Sequence, residues 1–213
     1  MTTEKMTVHK ALVELKTMDS RITKAISATH FVVANKHTND KINGISVKDY
    51  CEQMKSAYQK AHDLISRRNA IKRAVVLSNA NTKVVVSGVE YTVAEAIEMK
   101  NHGIGYLQSL LTKVNSDYVS AQRNANTNNG SALESRADEH IRNMYGNTDM
   151  KNASEEAKKA RADFIEAQTF ELVDPIKVRD EIERLEKIIN DFTIDVDAAL
   201  SVSNSRTEIE VSY

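Results

Sequence analysis

Val178, Ile182, Leu185, Ile189, Phe192, Val196 and Ala199 follow one another in steps of three and four. That spacing places all seven on one stripe of a helix, and a stripe so regular must be buried against another element. The pattern recurs. Val8, Ala11, Leu15, Met18, Ile22, Ala25 and Thr29 mark a first helix over residues 8–29. Val47, Tyr50, Met54, Ala57, Ala61, Leu64, Ile71 and Val75 mark a second, interrupted by Arg68, which is expected to snorkel or pair with an acid. Ile97, Ile104, Leu107, Leu111, Val114, Tyr118, Ala121 and Ala125 mark a third. One proline and six glycines in 213 residues leave such helices uninterrupted. Aromatic residues make up only 5%, so the core is the thin Leu, Ile, Val, Met and Ala filling of helix seams.

The helix ends are written in the same residues. Ser46 with Asp49 resembles a capping box, and Thr92 with Glu95 is a full one. Asp174-Pro175 reads as an N-cap followed by proline at the first helical position, which opens the fourth helix. Between the second and third helices the period shortens to two. Lys83–Val86 and Val89–Tyr91 flank Ser87-Gly88, a turn in which glycine supplies positive φ, so a β-hairpin is expected at 83–91. The two helices it joins should pack antiparallel, making an arm over 47–126 with the hairpin at its tip, on the order of 45 Å long.

The remaining segments are less regular. Phe31-Val32-Val33-Ala34 fits a short strand or a helix end, and Asn39, Asp40, Asn43 and Gly44 read as a polar loop. Residues 124–135 are a loop by composition, and 136–168 are helical but polar, with a break at Tyr145-Gly146-Asn147. Thr169–Val173 and the tail Thr207–Tyr213 alternate like strands. The expected fold is mainly α: one domain over 1–213, with long antiparallel coiled-coil-like helices, a small β-hairpin and a short terminal strand. It comprises the arm, a polar helical insertion at 127–168, and a closing helix and strand at 174–213.

Charge is unevenly spread. Residues 1–126 carry a net +7 and residues 127–213 a net −8, within an overall −1. Such asymmetry can hold elements together or guide subunits. The densest basic cluster, Arg67, Arg68, Lys72 and Arg73, lacks interleaved aromatics, so no nucleic-acid partner is expected. The single cysteine, Cys51, excludes an internal disulfide and fits a reducing compartment. No apolar run approaches the roughly 20 residues of a membrane span, and the N-terminus has no apolar signal core. No membrane insertion and a cytoplasmic location are therefore expected.

No motif carries recognisable chemistry. His9, His30, His37, His62, His102 and His140 show no H-x-x-x-H or H-E-x-x-H spacing. Gly103-Ile104-Gly105 lacks a third glycine and sits within a helix, where close helix packing is the simpler account. Cys51 reads as a packing residue. Asp180, Glu181, Glu183 and Glu186 read as a solvated helix face, and Asn152-Ala153-Ser154 matches a glycosylation sequon without a secretory context. No catalytic residue, metal ligand or cofactor site is assigned, and the chain is expected not to be an enzyme.

Three stretches together resemble a septicolysin-like family of uncharacterised bacterial and phage helical proteins. They are Ala11-Leu12-Val13-Glu14-Leu15 through Arg21-Ile22, then Arg68-Asn69-Ala70-Ile71 through Val89-Glu90-Tyr91-Thr92-Val93-Ala94-Glu95-Ala96, and Val173-Asp174-Pro175 to Asn204, which ends with Asp197, Leu200 and Asn204. The polar segment 127–168 departs from the family pattern. The resemblance implies a helical subunit of a homo-oligomeric ring, with a hexamer as its symmetry, supplies no catalytic residues, and suggests a phage virion or phage-associated component in contact with other structural proteins. Two other readings stay open: an oligomeric binding module that sequesters a small molecule or host protein, and an enzyme assembled across subunit interfaces.

Overall fold

The computed structural model describes residues 2–146 and 153–213. Among the described residues the fold is mainly helical, with three small two-stranded antiparallel sheets. The chain divides into two compact units, one formed by Met1–Gly103 with Asp191–Tyr213 and the other by Ile104–Asn190.

The first unit begins with β1 (Thr3–Thr7) and α1 (Val8–Ser27). Thr7 accepts a hydrogen bond from the Lys10 backbone N–H and caps α1. Residues 28–40 hold no helix or strand, so the apolar run at 31–34 forms neither. Within the polar loop, β2 (Lys41–Ile42) and β3 (Ile45–Ser46) make a miniature hairpin around Asn43 and Gly44, both at positive φ. An Asn-Gly pair between apolar residues is the strongest short hairpin signal, and here it acts inside a segment read as loop. Next come α2 (Val47–Asn81), β4 (Lys83–Val86), β5 (Val89–Thr92) and α3 (Val93–Glu98).

The hairpin of β4 and β5 is the expected one. Ser87 (φ 51°) and Gly88 (φ 81°) both take the left-handed conformation of a type I′ turn. The capping box closes as read: Thr92 Oγ1 accepts from the Glu95 N–H at 3.1 Å, and Glu95 accepts from the Thr92 N–H at 2.7 Å. After α3 the backbone widens into a π-helical turn over Met99–Gly103. A Cβ at residue 103 would meet only the flexible Met99 side chain of the same turn, and Gly105 has open space, so no neighbouring helix lies close against either glycine. This replaces the expectation that the two glycines permit close helix packing.

α2 packs on α3 beyond the hairpin, and more extensively on α1, a partner the sequence did not single out. The core of this unit joins Met6, Val8, Ala11 and Met18 to Ile71, Val75, Ile209 and Val211, all buried. The start of α1 therefore lies against the second half of α2, and the two helices run antiparallel. Burying a side chain the size of Ile or Met contributes about 1.5–3 kcal/mol each. The C-terminal part of α7 (Val178–Arg206) and β6 (Glu208–Ser212) complete the unit. β6 is the strand expected from the tail. Its partner is β1, from the opposite end of the chain, in the register Thr3↔Ser212, Glu4↔Val211 and Met6↔Ile209.

The second unit holds α4 (Ile104–Asn128), α5 (Gly130–Tyr145), α6 (Glu155–Gln168) and the N-terminal part of α7. Residues 124–135, read as loop, are helical except at Asn129. Within this stretch the Asn128 side-chain amide donates to the Asn124 carbonyl at 2.9 Å. Gly146, at φ 83°, ends α5 where a break was expected; Asn147 and Asn152 lie outside the described residues. Thr169–Val173 is not a strand. α7 starts three residues after Pro175, because Lys177 adopts a left-handed φ of 54°. Asp174 still caps it, both carboxylate oxygens accepting from the Val178 N–H at 3.0 Å. Along α7, Leu185, Ile189, Phe192 and Val196 are buried, as the stripe requires.

Candidate functional site

The most developed cluster of polar side chains lies where β1, β6, α1 and α2 of the first unit meet. Arg67 on α2 donates to both carboxylate oxygens of Glu14 on α1, at 2.6 and 3.0 Å, and to Glu4 on β1 at 3.0 Å. A further donor meets the Tyr213 hydroxyl, and the guanidinium carbon stands 4.8 Å from the centre of that ring. Lys10 adds a bond to Glu4 at 3.3 Å. Glu14 and Arg67 flank the apolar seams of their helices, the position from which charged side chains bridge packed helices. Their side chains keep only 18% and 19% of their exposure. The hydrogen bond from Arg67 is the main reason both acids sit below the usual carboxylate range, and the bond from Glu14 the main reason the Arg67 pKa is raised.

This cluster is a clamp. Its donors and acceptors satisfy one another, and no buried side-chain nitrogen or oxygen among the described residues lacks a partner. It pins the two-stranded sheet of β1 and β6 on the helices and joins the two ends of the chain. The sequence pointed instead at Arg68, which pairs with Asp19 at 3.3 Å in a more exposed position. Arg67 lies beside the α2 seam and Glu14 beside the α1 seam, but that spacing does not separate Arg67 from Arg68.

The clamp sets which groups the sheet presents. Thr2 and Tyr213 exchange both backbone hydrogen bonds, at 2.9 and 3.1 Å, and Val8 donates to Thr207 at 2.9 Å. Alternation along an antiparallel ladder then assigns Glu4↔Val211 and Met6↔Ile209 to the bonded pairs. The backbone N–H and C=O groups of Glu208, Glu210 and Ser212 consequently point away from β1. They face a groove along α2 of about 570 Å³, walled by Ile65, Ala70, Ala74 and Leu77 and carrying Arg73. A second hollow, of about 350 Å³, continues it past Ser78 and Asn81 toward Thr207.

The other candidate residues do not converge. No group of three or more His, Cys, Asp or Glu side chains able to hold a metal ion occurs among the described residues. His62 stacks on Tyr58, His140 stacks on Phe164 with ring centres 4.5 Å apart, and His102 faces Glu98 at 3.0 Å. Cys51 is half-buried beside a hollow of about 270 Å³ lined by Phe31, Met54, Lys55 and Tyr58. Of the acids on α7, Glu181 pairs with Arg184 at 2.6 Å, and that hydrogen bond lowers its pKa. In the second unit, Arg179 bonds the Tyr118 hydroxyl, and Arg161 pairs with Asp138 at 2.7 Å. No helix among the described residues is long and apolar enough to cross a membrane. Compared with known proteins, the chain matches no family model, no curated protein and no solved structure.

Proposed function

We propose that this protein is a non-enzymatic structural subunit that works by associating with further copies of itself. The observation that supports this is apolar side chains left on helix faces that the chain's own core does not cover. On α4 only Ile104 is buried, while Tyr106 is 75% exposed and Leu110 and Val119 are exposed on the same helix. On α7, Ile194 is 75% exposed, with Val202 further along the helix. Surfaces of this kind seek partners, and identical copies are the commonest ones. The resemblance to septicolysin-like proteins extends the reading to a ring-forming component of a phage particle or a phage-associated protein.

The test is size in solution. Light scattering or sedimentation at micromolar concentration should give a multiple of 23.8 kDa. A monomer of that mass would overturn the reading. A second reading, a module that binds a small molecule, draws on the hollow beneath Phe31, whose walls are mainly apolar. Mass spectrometry of purified virions separates the two, since a structural subunit is present there at fixed copy number and a sequestering module is absent.

A further inference from the structure

We propose that copies of this chain join by strand addition: residues 169–173 of one copy pair with the free edge of β6 on the next. The inference rests on the self-association proposed above and names its interface.

The acceptor is half of a ladder. Glu208, Glu210 and Ser212 direct three backbone N–H groups and three C=O groups away from β1, and no backbone partner among the described residues takes them. An open edge is a template for another extended chain. β1 has an open edge too, at Thr3, Lys5 and Thr7. The β6 edge differs because an apolar groove runs beside it, with Ile65 and Leu77 exposed on its α2 wall.

The donor has the complementary features. Thr169-Phe170-Glu171-Leu172-Val173 alternates like a strand and matches the five residues of Glu208–Ser212 in length, yet it belongs to no ladder. The side-chain amide of Asn129 donates to the Phe170 carbonyl and accepts from the Phe170 N–H, both at 2.9 Å. That bidentate contact requires Phe170 to be extended, and it occupies one edge of the segment. The opposite edge, carrying the backbone groups of Glu171 and Val173, is left open. The side chains are uncovered as well: Phe170 and Leu172 are exposed, and Val173 is 93% exposed. Phe170 and Leu172 share one face of an extended chain and suit the exposed Ile65 and Leu77 of the α2 wall.

Donor and acceptor are different surfaces, so the contact is head-to-tail, and it closes into a ring or continues as a filament according to the rotation per subunit. The Glu210→Pro variant isolates the acceptor. Proline at 210 removes an N–H that points away from β1, so the β1–β6 ladder keeps its bonds. The expected result is a wild-type melting temperature with self-association weakened about tenfold or more. Leu172→Asp, an exposed change on the donor, should do the same and covers the case in which the proline variant fails to fold. The positive test mixes two chains in a Cys51→Ser background, one with Glu171→Cys and the other with cysteine in place of Glu208, Glu210 or Ser212. Oxidation should give a cross-linked product of two chains from the mixture. An oligomer of unchanged size in both variants, or one that yields no mixed cross-link at any of the three positions, would overturn strand addition while leaving self-association standing. A monomeric wild-type chain would overturn both.

Discussion

The guanidinium of Arg67 holds both carboxylate oxygens of Glu14, at 2.6 and 3.0 Å, across the contact between α1 and α2. The same group reaches Glu4 and Tyr213, so one side chain ties together the two ends of the chain. Arg67→Met leaves two acids facing each other without their cation. It should cost about 2–4 kcal/mol, the range for breaking a largely buried hydrogen-bonded pair. Arg67→Lys keeps the charge and loses the two-pronged geometry, so it should fall between. Denaturant titration of the three proteins checks the order; equal midpoints would contradict it.

The clamp also makes stability depend on acid. Hydrogen bonds from Arg67 lower the folded-state pKa of Glu4 and Glu14 below the ordinary 4.5. A depressed carboxyl contributes stability above its unfolded value, and that contribution disappears as pH falls through the folded value. The melting temperature should therefore drop as pH falls below about 4.5, and Arg67→Met should drop less steeply. Thermal scans between neutral pH and pH 3 compare the two slopes. Parallel slopes would assign the acid sensitivity elsewhere.

Gly88 holds φ 81° at the second central position of a two-residue turn, with open space where a Cβ would stand. The cost of a side chain there is thus conformational rather than steric crowding. Gly88→Val should destabilise by about 1–2 kcal/mol, and Gly88→Asn, which tolerates the left-handed region, by less. Melting of both variants is the measurement, and the ranking is what matters.

Phe192 is 4% exposed and packs edge-to-face on Tyr91 of the hairpin, ring centres 5.9 Å apart. Because that contact lies within the subunit, Phe192→Ala should lower the melting temperature directly, by about 3–5 kcal/mol of stability. Ile194, two residues on and 75% exposed, provides the contrast. Ile194→Ser should leave the monomer's stability within about 0.5 kcal/mol, and it should weaken association if that face is used between copies. Size exclusion and melting on the same two variants separate core from surface.

The positions buried along α1 and α7, the hairpin turn at Ser87-Gly88 and the Thr92–Glu95 capping box are all properties of neighbouring residues. Each depends on spacing within one or two turns, so the sequence by itself determined them. Tertiary structure decided what lies between. Glu4, Glu14, Arg67 and Tyr213 are remote along the chain, and no local pattern says that Arg67, rather than Arg68 one residue on, turns inward to meet them. β1 is polar at Thr3, Glu4, Lys5 and Thr7, and it is a strand because β6 arrives to pair with it. Residues 124–135 have loop composition, yet they continue α4 and open α5, helical except at Asn129. Thr169–Val173 has the alternation of a strand and is not one, because a strand needs a partner for its backbone groups and the Asn129 amide occupies only one edge. Local propensity is written residue by residue, whereas pairing across sequence distance is settled by which surfaces the folded chain brings together.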